Sequence, residues 1–190
     1  MRRTAIAVVL LVVLAAPALH ANPIVTEWFY VDFAPPGGVY TIDPPTYDLV
    51  DAYFVVDLTI SPAQRFRSVS FRVDMTPGMW ADPVFTSLIP GSVVEGTWNT
   101  GVTVTTSDCV ESFPAPIARL SFRYLGLPGD VFIRDHPLKP RWLVDCEDPG
   151  QVFAYCVWSH GGVGKPAVGG DCTGSAVIDV TWTAIRALYR

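Results

Sequence analysis

The 190-residue chain predicts an all-β, antiparallel β-sandwich, and three features carry that prediction. Apolar and polar residues alternate with period two over several stretches, and 17 prolines and 15 glycines punctuate those stretches. Beyond the first 21 residues, no 12-residue window keeps a capped apolar period of 3.6, except over the last turns from Thr181 to Arg190. Many short strands without helices bury their apolar faces by packing sheet on sheet, while proline and glycine make the turns and shield the edges.

In chain order, residues 24 to 33 form the first expected strand. The second places Ala52, Phe54, Val56, Leu58 and Ile60 on one face and Asp51, Asp57 and Thr59 on the other, the pattern of a half-buried strand. Val69, Phe71, Val73 and Met75 then face inward, with Ser68, Ser70, Arg72 and Asp74 outward, until Pro77-Gly78 ends the run. Shorter strands are expected at 92 to 98 and 101 to 106. A third strong run sets Ala118, Leu120, Phe122 and Tyr124 against Arg119, Ser121 and Arg123 and stops at Gly126-Leu127-Pro128-Gly129. The remaining strands are expected at 131 to 135, 141 to 145, 151 to 158 and 176 to 182. Ala34 to Gly38 and Asp43 to Thr46 read as loops, too short for domain linkers, and no internal repeat is found.

Residues 1 to 21 read as a secretory signal peptide, with Arg2 and Arg3 leading an apolar run from Ala5 to Ala16 and small residues after it. That run is shorter than the roughly 20 residues a membrane span requires, so no span is expected after cleavage. The mature chain would start at Leu19 or Asn22. Residues 22 to 190 then form a single domain, with 11 Lys plus Arg against 18 Asp plus Glu and a net charge of −7. This sign argues against nucleic acid and anionic membranes as partners.

The four cysteines, Cys109, Cys146, Cys156 and Cys172, are an even set in an exported chain, which favours two disulfides. No Cys-x-x-Cys knuckle supports a metal site, although His160 follows Cys156 at a Cys-x-x-x-His spacing. If Val144 and Val152 lie on a hairpin turning through Glu147-Asp148-Pro149-Gly150, Cys146 and Cys156 stand five ladder steps of about 3.3 Å apart, beyond the ~7 Å reach of a disulfide. The expected pairs are Cys109 with Cys146, and Cys156 with Cys172.

The segments FRSVSFRVDMTPGM (66 to 79) and PIARLSFRYLGLPGD (116 to 130) resemble the paired core strands of cohesin-type bacterial β-sandwiches, a pattern shared with immunoglobulin-like folds. The resemblance spans roughly residues 50 to 135. It implies a sandwich fold and an interaction role, because cohesin-type modules bind protein partners. The four cysteines and the chain after Asp135 depart from that family, and the cysteine count is what predicts disulfide-stabilised C-terminal loops. No binding residue carries over.

Catalytic patterns are weak. His160-Gly-Gly-Val-Gly-Lys165 departs from a phosphate-binding loop, with Ser159 where the first glycine belongs and Pro166 where Ser or Thr should follow the lysine, so a glycine hairpin loop is expected. Gly170-Asp171-Cys172-Thr173-Gly174 has Cys172 in the place of a protease serine, and no Gly-x-Ser-x-Gly elbow exists. No carboxylate pair stands in a recognisable glycosidase setting. Asp145, Glu147 and Asp148 suit a turn rather than a calcium loop. No catalytic residue, metal or cofactor is assigned.

The reading is a secreted binding or assembly module for an extracellular protein or glycan, with an extracellular hydrolase as the alternative. Its ligand-binding residues are expected between Arg134 and Lys165, namely His136, Lys139, Arg141, Trp158, His160 and Lys165, where cationic and aromatic side chains cluster on loops. The opposing expectation is that His160 and Lys165 decorate a solvated hairpin while Trp142 and Trp158 pack the core. The other tryptophans, Trp28, Trp80, Trp98 and Trp182, fit either sugar stacking or core packing.

Overall fold

In the computed structural model, residues 28–58, 65–139, 142–146 and 152–170 are described. They are all β, with no helix among them. The strands are β1 (Trp28–Asp32), β2 (Thr41–Ile42), β3 (Leu49–Asp57), β4 (Phe66–Met75), β5 (Trp80–Ser87), β6 (Val93–Thr97) and β7 (Gly101–Val110). They continue as β8 (Ala115–Tyr124), β9 (Gly129–Arg134), β10 (Trp142–Asp145), β11 (Val152–Ala154), β12 (Cys156–Ser159) and β13 (Gly161–Val163). The expected strand at 176 to 182 and the signal segment lie outside the described residues.

Two sheets form. The first has five strands in the order β12-β1-β3-β8-β5, antiparallel except where β12 runs parallel to β1. The second has eight, built around β4, whose first half pairs with β10 and β7 and whose second half pairs with β9. Alternation holds in the three strong runs. Ala52, Phe54, Val56 and Leu58, then Val69, Phe71, Val73 and Met75, then Ala118, Leu120, Phe122 and Tyr124 are all buried. Phe29, Phe54 and Phe85 of the five-stranded sheet meet Phe71 of the eight-stranded sheet, with Phe29 and Phe71 edge to face at 4.9 Å between centroids. Such pairs add about 1 kcal/mol beyond their buried area, so this aromatic cross anchors the sandwich.

Four expectations need correcting. Ser68 and Ser70 face outward yet are buried, because their hydroxyls pair across the ladder with Thr105 and Thr103 at 3.1 and 2.9 Å and Lys139 reaches over to Thr103. The run at 151 to 158 is two strands. Around Tyr155 the chain leaves β10, where Val144 faces Val152, and joins β1 in the other sheet. Tyr155 is buried against Phe29 and donates its hydroxyl to the Ser70 carbonyl at 2.9 Å, pinning the crossing point.

The third correction is β5, which alternation missed. Its sequence Trp80-Ala-Asp-Pro-Val-Phe-Thr-Ser87 holds Pro83 at a bulge between Ala81 and Val84, with Asp82 at φ 51°, and the strand is tolerated because it lies at the sheet edge. The fourth is the glycine stretch after His160. Rather than a hairpin loop, Gly161 and Gly162 form a buried strand between β9 and β2. A Cβ on Gly161 would come within 2.7 Å of both Val31 and Phe33, so glycine is what lets this strand close over β1.

Cys109 and Cys146 are joined, with Cα atoms 5.7 Å apart, tying the end of β7 to the end of β10. Cys156 is also disulfide-bonded, so Cys146 and Cys156 are not joined to each other. Cys172 lies outside the described residues. Disulfide formation fits an oxidising compartment.

Candidate functional site

The residues expected to form one ligand site lie in three separate places. His160 is only 4% exposed. Its Nδ1 accepts the Ile133 N–H at 3.2 Å and its ring packs edge-on to Phe132. Lys165 is bound at 2.8 Å to Asp130, whose side chain is 8% exposed, so the ammonium neutralises a buried carboxylate. These two side chains hold β9 and the β13 region together.

His136 and Lys139 lie instead over the outer face of the eight-stranded sheet. His136 sits on Gly101, where a Cβ would come within 2.8 Å of the imidazole, and its Nδ1 accepts the N–H groups of Leu138 and Lys139 at 3.1 Å each. Burial, with Lys139 nearby, holds the His136 pKa below its usual value. Lys139 bonds Thr103 and stands 3.9 Å from Glu95. Arg141 lies outside the described residues.

Trp158 stands apart from all of these, on the outer face of the five-stranded sheet. It is half exposed and belongs to a cleft of about 330 Å³ lined by Trp28, Tyr30, Tyr40, Asp57 and Trp158. Strand geometry explains the gathering. With Phe29 and Val31 committed to the core, Trp28 and Tyr30 must point the other way, because successive side chains alternate across a strand. Asp57 lies directly opposite Trp28 on β3, and Val55 lies opposite Tyr30. On the other flank β12 pairs in parallel with β1, and the register shift between Phe29 and Tyr30 leaves Trp158 as the extra residue alongside.

Tyr40 arrives from a loop that Asp32 organises. The buried Asp32 carboxylate accepts the N–H groups of Ala34, Gly38 and Val39, each at 2.9 Å, and the Phe33 N–H donates to the Val39 carbonyl at 2.8 Å. Three charge-assisted bonds are strong enough to fold residues 33 to 39 back on β1. Tyr40 therefore lands on Tyr30, edge to face at 5.6 Å. Trp28 and Trp158 meet in the same way, with centroids 4.8 Å apart and planes at 82°.

The cleft is electronegative. Burial first, then Asp57, Tyr40 and Asp32, push the Tyr30 pKa well above the ordinary tyrosine value. Tyr40 is raised as well, by burial first and then by Asp32, with the neighbouring Trp158 acting the other way. Asp57 is the one carboxylate among the described lining residues. Sequence reasoning reached Trp158 but not Tyr30, Tyr40 or Asp57. A signal for Tyr30 was present, because Trp28-x-Tyr30 alternates with inward Phe29 and Val31, which leaves two aromatics on an outer face.

No family model matches the chain, and no curated protein matches it. Among solved structures, the chain is similar to the third ScaB cohesin of R. flavefaciens, solved in complex with a group 1 dockerin, at a TM-score of 0.51 and 10% identity over 75% of this chain and 97% of that one. The sixth cohesin of the scaffoldin B of Acetivibrio cellulolyticus aligns at a TM-score of 0.49 and 13% identity, over 74% of this chain and 99% of that one. The fold thus resembles that of cohesin modules, as the two central strands predict.

Proposed function

We propose that this protein is an exported binding module that recognises an extracellular partner protein through the cleft between β1, β12 and the Tyr40 loop. The observation that carries this reading is the convergence of four aromatic side chains from three separate segments on one outer sheet face, with Trp158 half exposed. Exposed aromatics are costly to keep in water and supply large contact area with directional edges, which is why they concentrate at recognition surfaces. Two supports are independent of the cleft. The cohesin of similar fold was solved bound to a dockerin, and the disulfides fit the oxidising compartment to which residues 1 to 21 would direct the chain.

A glycan is the second reading, favoured by the half exposure of Trp158, because sugar ligands are also met by aromatic side chains. Immobilised full-length protein, wild type and Trp158→Ala, decides between recognition at the cleft and recognition elsewhere. A partner retained from the culture medium of the source organism by wild type and lost by the variant supports the cleft. Equal retention by both overturns it, and retention that a mixed oligosaccharide competes away favours the glycan.

A further inference from the structure

The walls and charge of this cleft specify what kind of group enters it, an inference that rests on the cleft being the recognition site. Two ring pairs stand nearly perpendicular, Trp28 against Trp158 at 82° and Tyr30 against Tyr40 at 86°. Perpendicular rings make corners rather than a flat platform. A sugar needs a flat face to stack on, whereas a compact cation gains from ring faces that surround it, because each face carries the negative end of the ring quadrupole.

The charges point the same way. Neither lysine nor arginine is among the described lining residues, and the one ionic group is the Asp57 carboxylate, paired in the ladder with Trp28. Asp57 keeps a further interaction of its own, so it contributes to the potential rather than standing as a bare charge. Asp32 lies at the far end of the same short strand, and its charge reaches both tyrosines. The whole chain is acidic, with a formal net charge of −5, which complements a basic partner. Arginine prefers to lie flat on a single ring, while an ammonium is a compact point charge that fits a corner.

We propose that the cleft accepts the ammonium of a lysine side chain presented by a basic partner protein. Trp158 and Trp28 supply the outer corner, Tyr30 and Tyr40 the inner one, and Asp57 adds the carboxylate field.

The test is a tryptophan-fluorescence titration of the full chain with three probes: Nα-acetyl-lysine methylamide, its Nε-trimethyl derivative and neutral Nα-acetyl-norleucine methylamide. Both cationic probes are expected to bind about tenfold tighter than the norleucine probe, the margin expected for a cation held against several ring faces. Asp57→Asn should narrow that margin while leaving norleucine binding in place, and Trp158→Ala should remove it. Because the lysine and norleucine probes are compared on the unaltered protein, the outcome does not depend on a variant folding. Equal affinity for lysine and norleucine probes overturns the proposal. If it does so while Trp158→Ala still loses its captured partner, the cleft stands as a recognition site and only its cation preference falls. If capture is unchanged by Trp158→Ala, the cleft itself falls.

Discussion

On the outer face of the eight-stranded sheet, Ser68 pairs with Thr105, Ser70 with Thr103, Arg72 with Asp74 and Lys139 with Thr103, so polar side chains spend their hydrogen bonds on one another. On the outer face of the five-stranded sheet, at its β12–β1 edge, the side chains are aromatic and leave an open cleft. The two faces share strand geometry and differ in what covers them. The loop carrying His136 and Lys139 lies across the first face, while the loop carrying Tyr40 is held to one side of the second by Asp32. The charged side chains of that loop meet the protein itself, His136 accepting two backbone N–H groups and Lys139 bonding Thr103. Side chains with few bonds to make, such as Trp158, keep their contact area available.

The largest expected effect separates the two faces by stability. Cys109 and Cys146, 37 residues apart, brace only the eight-stranded sheet, and replacing both with alanine should cost about 4 kcal/mol by the loop-entropy relation. Native-state hydrogen exchange should then show β10 amides losing protection before those of β1. Equal loss in both strands would mean that the sheets unfold as one unit and that the brace is not local.

A smaller loss is expected from Lys165→Met. It strips the partner from Asp130, whose Oδ1 already lacks a hydrogen bond and whose side chain is buried. About 2 kcal/mol is expected, less than for a fully buried pair because Lys165 is partly exposed, and urea unfolding measures it. Asp130→Asn in the same chain should recover part of the loss. A neutral result for the single variant would show that Lys165 is spare, and would return it to the list of residues able to meet a ligand.

The smallest effects are titrations, one on each face. Tyr30 is kept neutral by burial and by Asp57, so its contribution to stability is present below pH ~10 and is lost as pH rises through its higher folded value. Asp57→Asn should lower the tyrosine midpoint seen by ultraviolet absorbance, and an unmoved midpoint would remove Asp57 from the cleft's field. His136 behaves oppositely: its pKa is held low, so its contribution is present above pH ~6.5 and is lost as pH falls. Lys139→Gln should raise its midpoint by NMR without altering the tyrosines.

Period two along the chain determined which faces of β3, β4 and β8 are buried, because alternation across a pleat is a local property that no distant contact can reverse without exposing a whole row of apolar side chains. The Val144–Val152 register and the Cys109–Cys146 pair were likewise within reach, since a short hairpin leaves few alternatives. The window from Arg134 to Lys165 was different. Its side chains are neighbours in sequence, but the chain changes sheets around Tyr155 and threads Gly161 and Gly162 over β1, sending Trp158 to one outer face, His136 to the other and His160 inside. The cleft itself joins residues 28, 30, 40, 57 and 158, brought together by strand order and by the three amides that Asp32 gathers. Only the tertiary structure decided these placements, because the sheet a strand joins depends on which distant edge completes its hydrogen bonds, and local periodicity carries no record of that choice.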